Sequence, residues 1–529
     1  MRGPPVVAGL TAGRTQDGRP HIDGAACLVH GERAWAIAEE RLPRRKNAGG
    51  AERALSAVLA AAGMELPDID LFVLSTCGEP VPSPGAPAFL RTDGRWSLQD
   101  LGIPPDRIVW CPSHHLSHAL HAAHATNARQ ALVCVFDKEG NTGERNSYYL
   151  AGGGSLRLVQ SDTAAAARGG IGAAYALATE AIGWCGDTEA GKTMALAAYG
   201  RAGADPRLLL ADAPSGAIVA GGGPLPHPVT FRQRADLAAT VQAQMEAAVV
   251  ATVERLLARY PVPQLCVAGG VGTNCRLLGA LAGAMPELAV RAPYAPGDTG
   301  QAIGNALYGL ALLGAEAPEM LRQPFLGVEE DRGVVAERAV RRLGQPLACG
   351  FDALEMAARR LAGGAIVAVF TGRSEFGPRA LGHRSILCHP GDAASLHRLG
   401  ASIKRRGWFR PFGIVGPAHR VAEACPHARL SRHMEIAGPV GGPWRERLRP
   451  VLHIDGTCRF QAVAADDPLG PLLERFEATA NVPFLANTSL NRAGEPLAET
   501  IEDAIDIVLA TGIDLLLTDS GLFAGSPPR

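Results

Sequence analysis

The chain has no Cys-x-x-Cys pair; its eleven cysteines are scattered along 529 residues. An odd, dispersed set excludes a disulfide frame or zinc ribbon and reads as thiols in a reducing cytosol, so a cytoplasmic protein is expected. Net charge is also lacking, at a formal −1. Such a chain carries no overall electrostatic footprint for a polyanion, and no nucleic-acid partner is expected. No apolar run approaches the roughly 20 residues of a membrane span, and the first residues lack a signal peptide's apolar region. No membrane partner is expected either. Neither internal repeats nor low-complexity segments are evident in the sequence.

What is present is an ordinary globular composition, 47% hydrophobic and 19% charged, over a length that supports two or more domains. Short apolar strands are expected at Val6–Leu10 and Ala25–Val29. Leu71–Ser75, Ala131–Phe136 and Leu265–Ala268 read as strands buried in a mixed sheet, with helices at Ala51–Ala62 and Leu237–Ala258. Pro and charge clusters around Gln323–Gly350 mark the connection between domains, set at 1–345 and 346–529, and Ala365–Phe370 opens a second α/β segment.

Chemistry-bearing residues gather in four places. Five of the fifteen histidines fall between His114 and His124. On a helix, His114 and His118 share one face and can hold a divalent ion with a carboxylate from a nearby strand end; equally, such histidines can be packed, capped or solvated. Gly269-Gly270-Val-Gly-Thr-Asn274 follows a strand and suits either a phosphate cradle or a tight turn. From Gly372 to Phe412, Arg373, Arg379, Arg384, Lys404, Arg405, Arg406 and Arg410 are interleaved with Phe376, Phe409 and Phe412. Guanidinium forks grip phosphate and carbamoyl-type oxygens, and the aromatics point to a pocket more than to a solvated face. Asn487-Thr-Ser-Leu-Asn-Arg-Ala-Gly-Glu-Pro496, after the apolar run Val482–Ala486, suits a polar ligand or a turn.

Together these motifs resemble the NodU/CmcH carbamoyltransferases, the type that modifies antibiotics and signalling sugars. The resemblance runs nearly end to end. It comprises Ala38-Glu-Glu-Arg41 with Lys46, His114-His-Leu-Ser-His118, Asp137, Glu189-Ala-Gly-Lys-Thr-Met194, Ala268-Gly-Gly-Val271 with Asn274, and Gly297-Asp298. It continues through Glu375-Phe-Gly-Pro-Arg-Ala-Leu-Gly382, Arg410-Pro-Phe412, Arg459 and Asn487-Thr-Ser489. The resemblance implies an α/β chain with an N-terminal actin-like/sugar-kinase (TsaD-like) domain and a C-terminal YrdC-like domain. The C-terminal domain would form carbamoyladenylate from carbamoyl phosphate and ATP; the N-terminal one would pass the carbamoyl group to a small-molecule hydroxyl. By the same resemblance, His114, His118, Asp137 and Asp298 would ligate Fe(II) or Mn(II). Arg379, Lys404, Arg410, Arg459, Asn487 and Ser489 would hold carbamoyl phosphate and adenylate. Gly269, Gly270, Asn274 and Lys192 would bind nucleotide, and His21, Asp23 and Lys46 would act in catalysis.

The chain departs from that family in the segment Arg19-Pro-His-Ile-Asp23-Gly. The family carries a His-Asp pair here, the histidine being the suspected base; Ile22 stands in its place, and His21 comes one residue early. In a strand that shift would turn His21 to the opposite face. Two smaller departures are His383, where the family tends to have Asn, and Lys138 after Asp137, where it prefers Gly. A tRNA threonylcarbamoyl-modifying enzyme and a nucleotide-dependent binding protein with an inactive transfer site are the competing readings. The acceptor is open between an aminoglycoside or macrolide sugar and a polyketide alcohol.

Overall fold

A computed structural model describes residues 3–12, 22–76, 80–83, 85–141, 143–163, 170–203, 209–211, 218–220, 225 and 227–525. The chain divides into two compact units, one running through Leu326 except for Arg44–Lys46, the other made of Arg44–Lys46 and the chain from Gly327 onward. The boundary therefore falls ahead of the expected 345/346. The reason lies in Arg332–Leu343, a helix that buries Val335, Ala339 and Leu343 along one stripe and packs on the helix Ile501–Thr511. The expected connection thus contains a structural helix of the second unit.

The first unit holds two five-stranded sheets. One is built from β1 (Val6–Thr11), β2 (Ala25–His30), β3 (Arg33–Ala38), β4 (Leu71–Leu74) and β5 (Ile108–Trp110) in the order β3-β2-β1-β4-β5. The other uses β6 (Gln130–Phe136), β7 (Glu144–Gly152), β8 (Ser155–Thr163), β11 (Gln264–Ala268) and β12 (Ala289–Arg291), ordered β8-β7-β6-β11-β12. A two-stranded ribbon of β9 (Leu209–Ala211) and β10 (Ile218–Ala220) falls between β8 and β11 in the chain. In both sheets the first strand pairs antiparallel with the second and parallel with the fourth. The unit is a duplication in topology, the doubled α/β plan of the actin-like/sugar-kinase class, although no repeat shows in the sequence. Burial explains the mismatch: strands covered on both faces need only apolar residues of fitting size, so the halves keep their order without keeping their letters.

The helix Gln301–Leu312 packs on β1, and a Cβ at Gly9 would overlap its Ala302 carbonyl. The same helix crosses His114–Ala125 at Gly304, where a Cβ would overlap the Ser117 carbonyl oxygen. Glycine at 304 therefore sets how closely these two helices approach.

The second unit is built on an eight-stranded mixed sheet, in keeping with the expected α/β class. Its strands are β13 (Val367–Phe370), β14 (Arg384–Cys388), β15 (Gly413–Pro417), β16 (Ile436–Pro439), β17 (Thr457–Val463), β18 (Leu485–Ser489), β19 (Leu515–Thr518) and β20 (Gly521–Ala524). Their order is β16-β17-β15-β18-β14-β13-β19-β20. Asn487 and Ser489 lie inside β18, not in a turn after it, two residues apart and hence on one face. Asn487 sits opposite Gly413, which sits opposite Arg459, so one cross-strand row joins two of the expected ligand residues.

Candidate metal centre and anion site

In the first unit, Ser113 caps the helix His114–Ala125 by accepting from the Leu116 amide at 3.2 Å. His114 and His118, four residues apart, turn the same way, with ring centroids 4.9 Å apart. His114 Nδ1 faces the Thr76 carbonyl oxygen at 2.9 Å. A carbonyl only accepts, so Nδ1 carries a hydrogen and Nε2 is the nitrogen turned toward the carboxylates, its lone pair open to an ion once its own proton is released. Asp137 directly follows β6, and Asp298 occupies the turn leading into Gln301–Leu312. His114 Nε2 is 3.1 Å from Asp137 Oδ2 and 3.5 Å from Asp298 Oδ1. His118 Nε2 is 3.3 Å from each of those oxygens and 3.3 Å from His114 Nε2.

These four donor atoms all lie within 4.8 Å of one another. Two donors bound about 2.1 Å from one ion at right angles sit about 3 Å apart, so the observed spacing fits one divalent cation. Two nitrogens and two carboxylate oxygens suit a borderline-hard metal. Burial would raise both carboxyls, and Asp137 adds repulsion at Asp298; hydrogen bonds from His114 and His118 outweigh this and hold both below the usual carboxylate range. Burial would likewise lower His118, yet Asp137 and Asp298 raise it. The remaining histidines of the cluster are used in packing. His115 meets Ser147 Oγ at 2.8 Å, His121 lies edge-on to Tyr294, and His124 meets the Pro318 carbonyl at 3.2 Å.

The glycine turn closes against this centre. Gly269 has φ +80°, and a Cβ there would overlap the Phe136 carbonyl; one at Gly270 would lie 3.4 Å from Asp137 Oδ1. Asn274 does something else: its Oδ1 caps the helix Cys275–Ala284 and its Nδ2 donates to Gln242 Oε1 at 3.0 Å. Lys192 pairs with Glu189 and stands 5.7 Å over the Trp184 ring.

Asp23 has φ +60° and sits in a bend before β2, so strand alternation does not govern Ile22 or Asp23. His21 lies outside the described residues. Asn47 Nδ2 donates to Asp23 Oδ1 at 2.7 Å. Burial, reinforced by the charge of Asp298, pushes the Asp23 carboxyl up to about 6 against that hydrogen bond. Asn47→Ala removes the donor that stabilises the ionised form, so the Asp23 pKa is expected to rise further. A carbon-13 NMR titration of the two metal-free proteins reads the difference.

In the second unit, Lys404 follows a widened π-helical turn, Arg398–Ile403. Its Nζ donates to Ser489 O at 2.7 Å, Ser489 Oγ at 3.2 Å, Asn491 O at 2.8 Å and Asn491 Oδ1. Arg406 donates to Pro411 O at 2.8 Å and Thr488 Oγ1 at 3.2 Å, and its guanidinium lies 4.4 Å from the Phe412 ring centroid. Burial, then the charges of Arg406, Lys46 and Arg410, press the Lys404 pKa well below its ordinary value. Arg406 is pushed down to about 9 by burial and by Arg410, Arg459 and Arg379. Cations that depress one another in this way form a site short of negative charge. Lys46 belongs to this unit, where its charge acts on Lys404.

Asn487 Nδ2 donates to Gln461 Oε1 at 3.1 Å and to Ala380 O at 3.4 Å, next to Arg379. One oxygen of Glu375 accepts from the amides of Leu381, His383 and Arg384 at 2.7, 2.9 and 3.1 Å, folding the Glu375–Gly382 motif into a loop. Arg384 and Arg373 belong to the framework. The first is fully buried, 3.7 Å from the Phe370 ring centroid, and donates to Thr371 O and Gly372 O; the second donates to Gly327 O. Arg406 and Asn491 were missed as individual site residues. The signal was there: Lys404 and Arg406, like Ser489 and Asn491, are two apart, and the second pair meets at the Lys404 ammonium.

Comparison with known proteins now adds to this geometry. Residues 226–307 match the family model for the carbamoyltransferase N-terminus, and residues 358–524 that for the carbamoyltransferase C-terminus. Nodulation protein NolNO of Sinorhizobium fredii is 30% identical over 543 residues, covering 94% of this chain and 78% of its own. Nodulation protein NolO of Bradyrhizobium diazoefficiens is 32% identical over 306 residues, 56% of each chain. Nodulation protein U of Azorhizobium caulinodans is 33% identical over 269 residues, 49% of this chain and 45% of its own. The matches to the latter two thus span about half of their length.

The two family models and these relatives make the chain a carbamoyltransferase. The chain belongs to the NodU/CmcH-type carbamoyltransferase family.

Proposed function

We propose that the chain is an ATP-dependent O-carbamoyltransferase that works through carbamoyladenylate. The observation that carries this reading is the crowd of cations in the second unit, Lys46, Arg379, Lys404, Arg406, Arg410 and Arg459, whose charges depress the pKa values of Lys404 and Arg406. Such a set suits a substrate pair rich in phosphate. Water splits carbamoyl phosphate into carbamate and inorganic phosphate; a carbamate oxygen then attacks the α-phosphorus of ATP, and pyrophosphate leaves. Arg379, Arg406, Arg410 and Arg459 neutralise the departing phosphates. Lys404, held by Ser489 and Asn491, faces the carbamoyl oxygens together with Asn487.

Transfer to the acceptor is assigned to the first unit. His114, His118, Asp137 and Asp298 would hold Fe(II) or Mn(II), which supplies positive charge to nucleotide phosphates. Asp23, with its pKa raised to about 6, suits a base that takes the acceptor's hydroxyl proton as oxygen attacks the carbamoyl carbon and AMP leaves. The acceptor is a small-molecule hydroxyl.

The test is AMP and pyrophosphate formation from ATP on metal-replete protein, with and without carbamoyl phosphate and without acceptor. Carbamoyl-phosphate-dependent product is expected. ATP binding with no such dependence would sink the proposal in favour of a binding protein. Stimulation by tRNA would move the reading to a tRNA-modifying enzyme.

A further inference from the structure

Gln301 is the first residue of the helix that packs on β1, and it is 1% exposed. Its Nε2 lies 3.3 Å from His114 Nε2 and 3.3 Å from Asp298 Oδ1, two of the four metal-centre donors. Its Oε1 is buried and meets no hydrogen-bond donor among the described residues. A buried amide with an unanswered oxygen loses free energy that a better placement would recover.

An ion held by His114 and Asp298 withdraws the lone pairs toward which the amide nitrogen points. Nitrogen of a carboxamide cannot take their place as a ligand, but its oxygen can. A half-turn of the amide about Cγ–Cδ exchanges the two atoms and brings Oε1 to the position now 3.3 Å from both donors, the same spacing as within the four-donor set. Only the side chain has to turn, because the Gln301 backbone carbonyl is fixed separately by Ser117 Oγ at 3.1 Å.

We propose that the Gln301 side-chain oxygen is a fifth metal donor, completing a set of two nitrogens and three oxygens that favours Mn(II) or Fe(II) over four-coordinate Zn(II). This rests on the metal reading of the His114–Asp298 centre. Zinc is almost always satisfied by four ligands in closed sites, whereas Mn(II) seeks more oxygens, so the extra donor shifts the ratio of affinities.

The experiment measures Mn(II) and Zn(II) dissociation constants by chelator competition, with electron paramagnetic resonance of bound Mn(II), on wild type, Gln301→Leu, Gln301→Met and Gln301→Glu. In the Leu and Met variants Mn(II) binding is expected to weaken roughly tenfold or more, with Zn(II) changed by less than about threefold. The Glu variant keeps an oxygen and is expected to hold Mn(II) at least as tightly as wild type. Unchanged Mn(II) affinity in the Leu and Met variants, equal losses of both metals, or failure of the Glu variant to bind Mn(II) would each overturn the assignment while leaving the four-donor centre standing. No stoichiometric Mn(II) on wild-type protein would overturn the centre and the assignment together.

Discussion

Substituting methionine for Lys404 is expected to cut carbamoyl-phosphate-dependent AMP formation by roughly a hundred- to a thousandfold, the scale seen when one donor to a developing charge is lost. The side chain is buried, and its ammonium is gripped by both oxygens of Ser489 and both of Asn491. Methionine fills a similar volume, so the loss reports charge and hydrogen bonding more than packing. Lys404→Arg is expected to rescue little, because a planar fork cannot place one point charge among four oxygens. A second readout separates this from simple damage. With its pKa pressed down by burial and by Arg406, Lys46 and Arg410, Lys404 gains affinity for its proton when an anion arrives. At any pH where Lys404 is partly deprotonated in the free protein, phosphate binding by wild type should therefore take up a proton, and its calorimetric enthalpy should vary with the buffer's ionisation enthalpy. Lys404→Met should lose most of that dependence; a variant with full proton uptake would contradict the role given to Lys404.

Asp137→Ala is expected to weaken Mn(II) binding by a hundredfold or more, beyond the 10- to 100-fold typical of losing a group behind a ligand. Asp137 contributes an oxygen within 3.3 Å of both imidazole nitrogens. Its removal also takes from His118 the hydrogen bond that does most to raise its pKa. Thermal unfolding gives an independent check. An ion that binds only the folded chain stabilises it by about 2.7 kcal/mol at a hundred times its dissociation constant. Wild type should gain a higher Tm with Mn(II), and Asp137→Ala should not. In the metal-free protein the sign is also fixed: Asp137 and Asp298 have depressed folded pKa values, so their stabilising contribution is present above the ordinary carboxylate range. It is lost as pH falls through the folded values. Equal acid sensitivity in wild type and Asp137→Ala would argue against that pairing.

How far the sequence carries is clearest from particular residues. The continuous apolar runs at Leu71–Leu74 and Leu265–Ala268 became buried strands because strands covered on both faces need no alternation. His114, His118, Asp137 and Asp298 converge; the i,i+4 pair is local helix geometry and Asp137 a strand-end carboxylate, whereas Asp298, about 160 residues further on, was expected from the family resemblance alone. Arg373 and Arg384 did not behave like their neighbours in the basic stretch. Whether a guanidinium meets a ligand or the protein's own carbonyls depends on where the loop folds, and Glu375 decides that through three backbone amides. The placement of Arg44–Lys46 with the second unit was equally out of reach. It rests on Arg44 donating to Pro496 O and Leu497 O, contacts about 450 residues distant in sequence. The helix Arg332–Leu343 was legible in its stripe of Val335, Ala339 and Leu343, but the surrounding charges hid it.

The order in which the metal donors occur along the chain also bears on how the protein is made. His114, His118 and Asp137 emerge early from a ribosome, while Asp298 waits for another 160 or so residues. Until then, the helix carrying Gln301 and Gly304 is missing from β1 and from the Ser117 face, so the first sheet lacks a covering layer. A nascent chain stopped short of Asp298 would hold three of the four donors and an exposed apolar β1. On the metal reading proposed above, acquisition of the ion would be timed to the closing of the first unit, and metal starvation during synthesis is expected to lower the yield of folded chain more than metal removal afterwards lowers its lifetime.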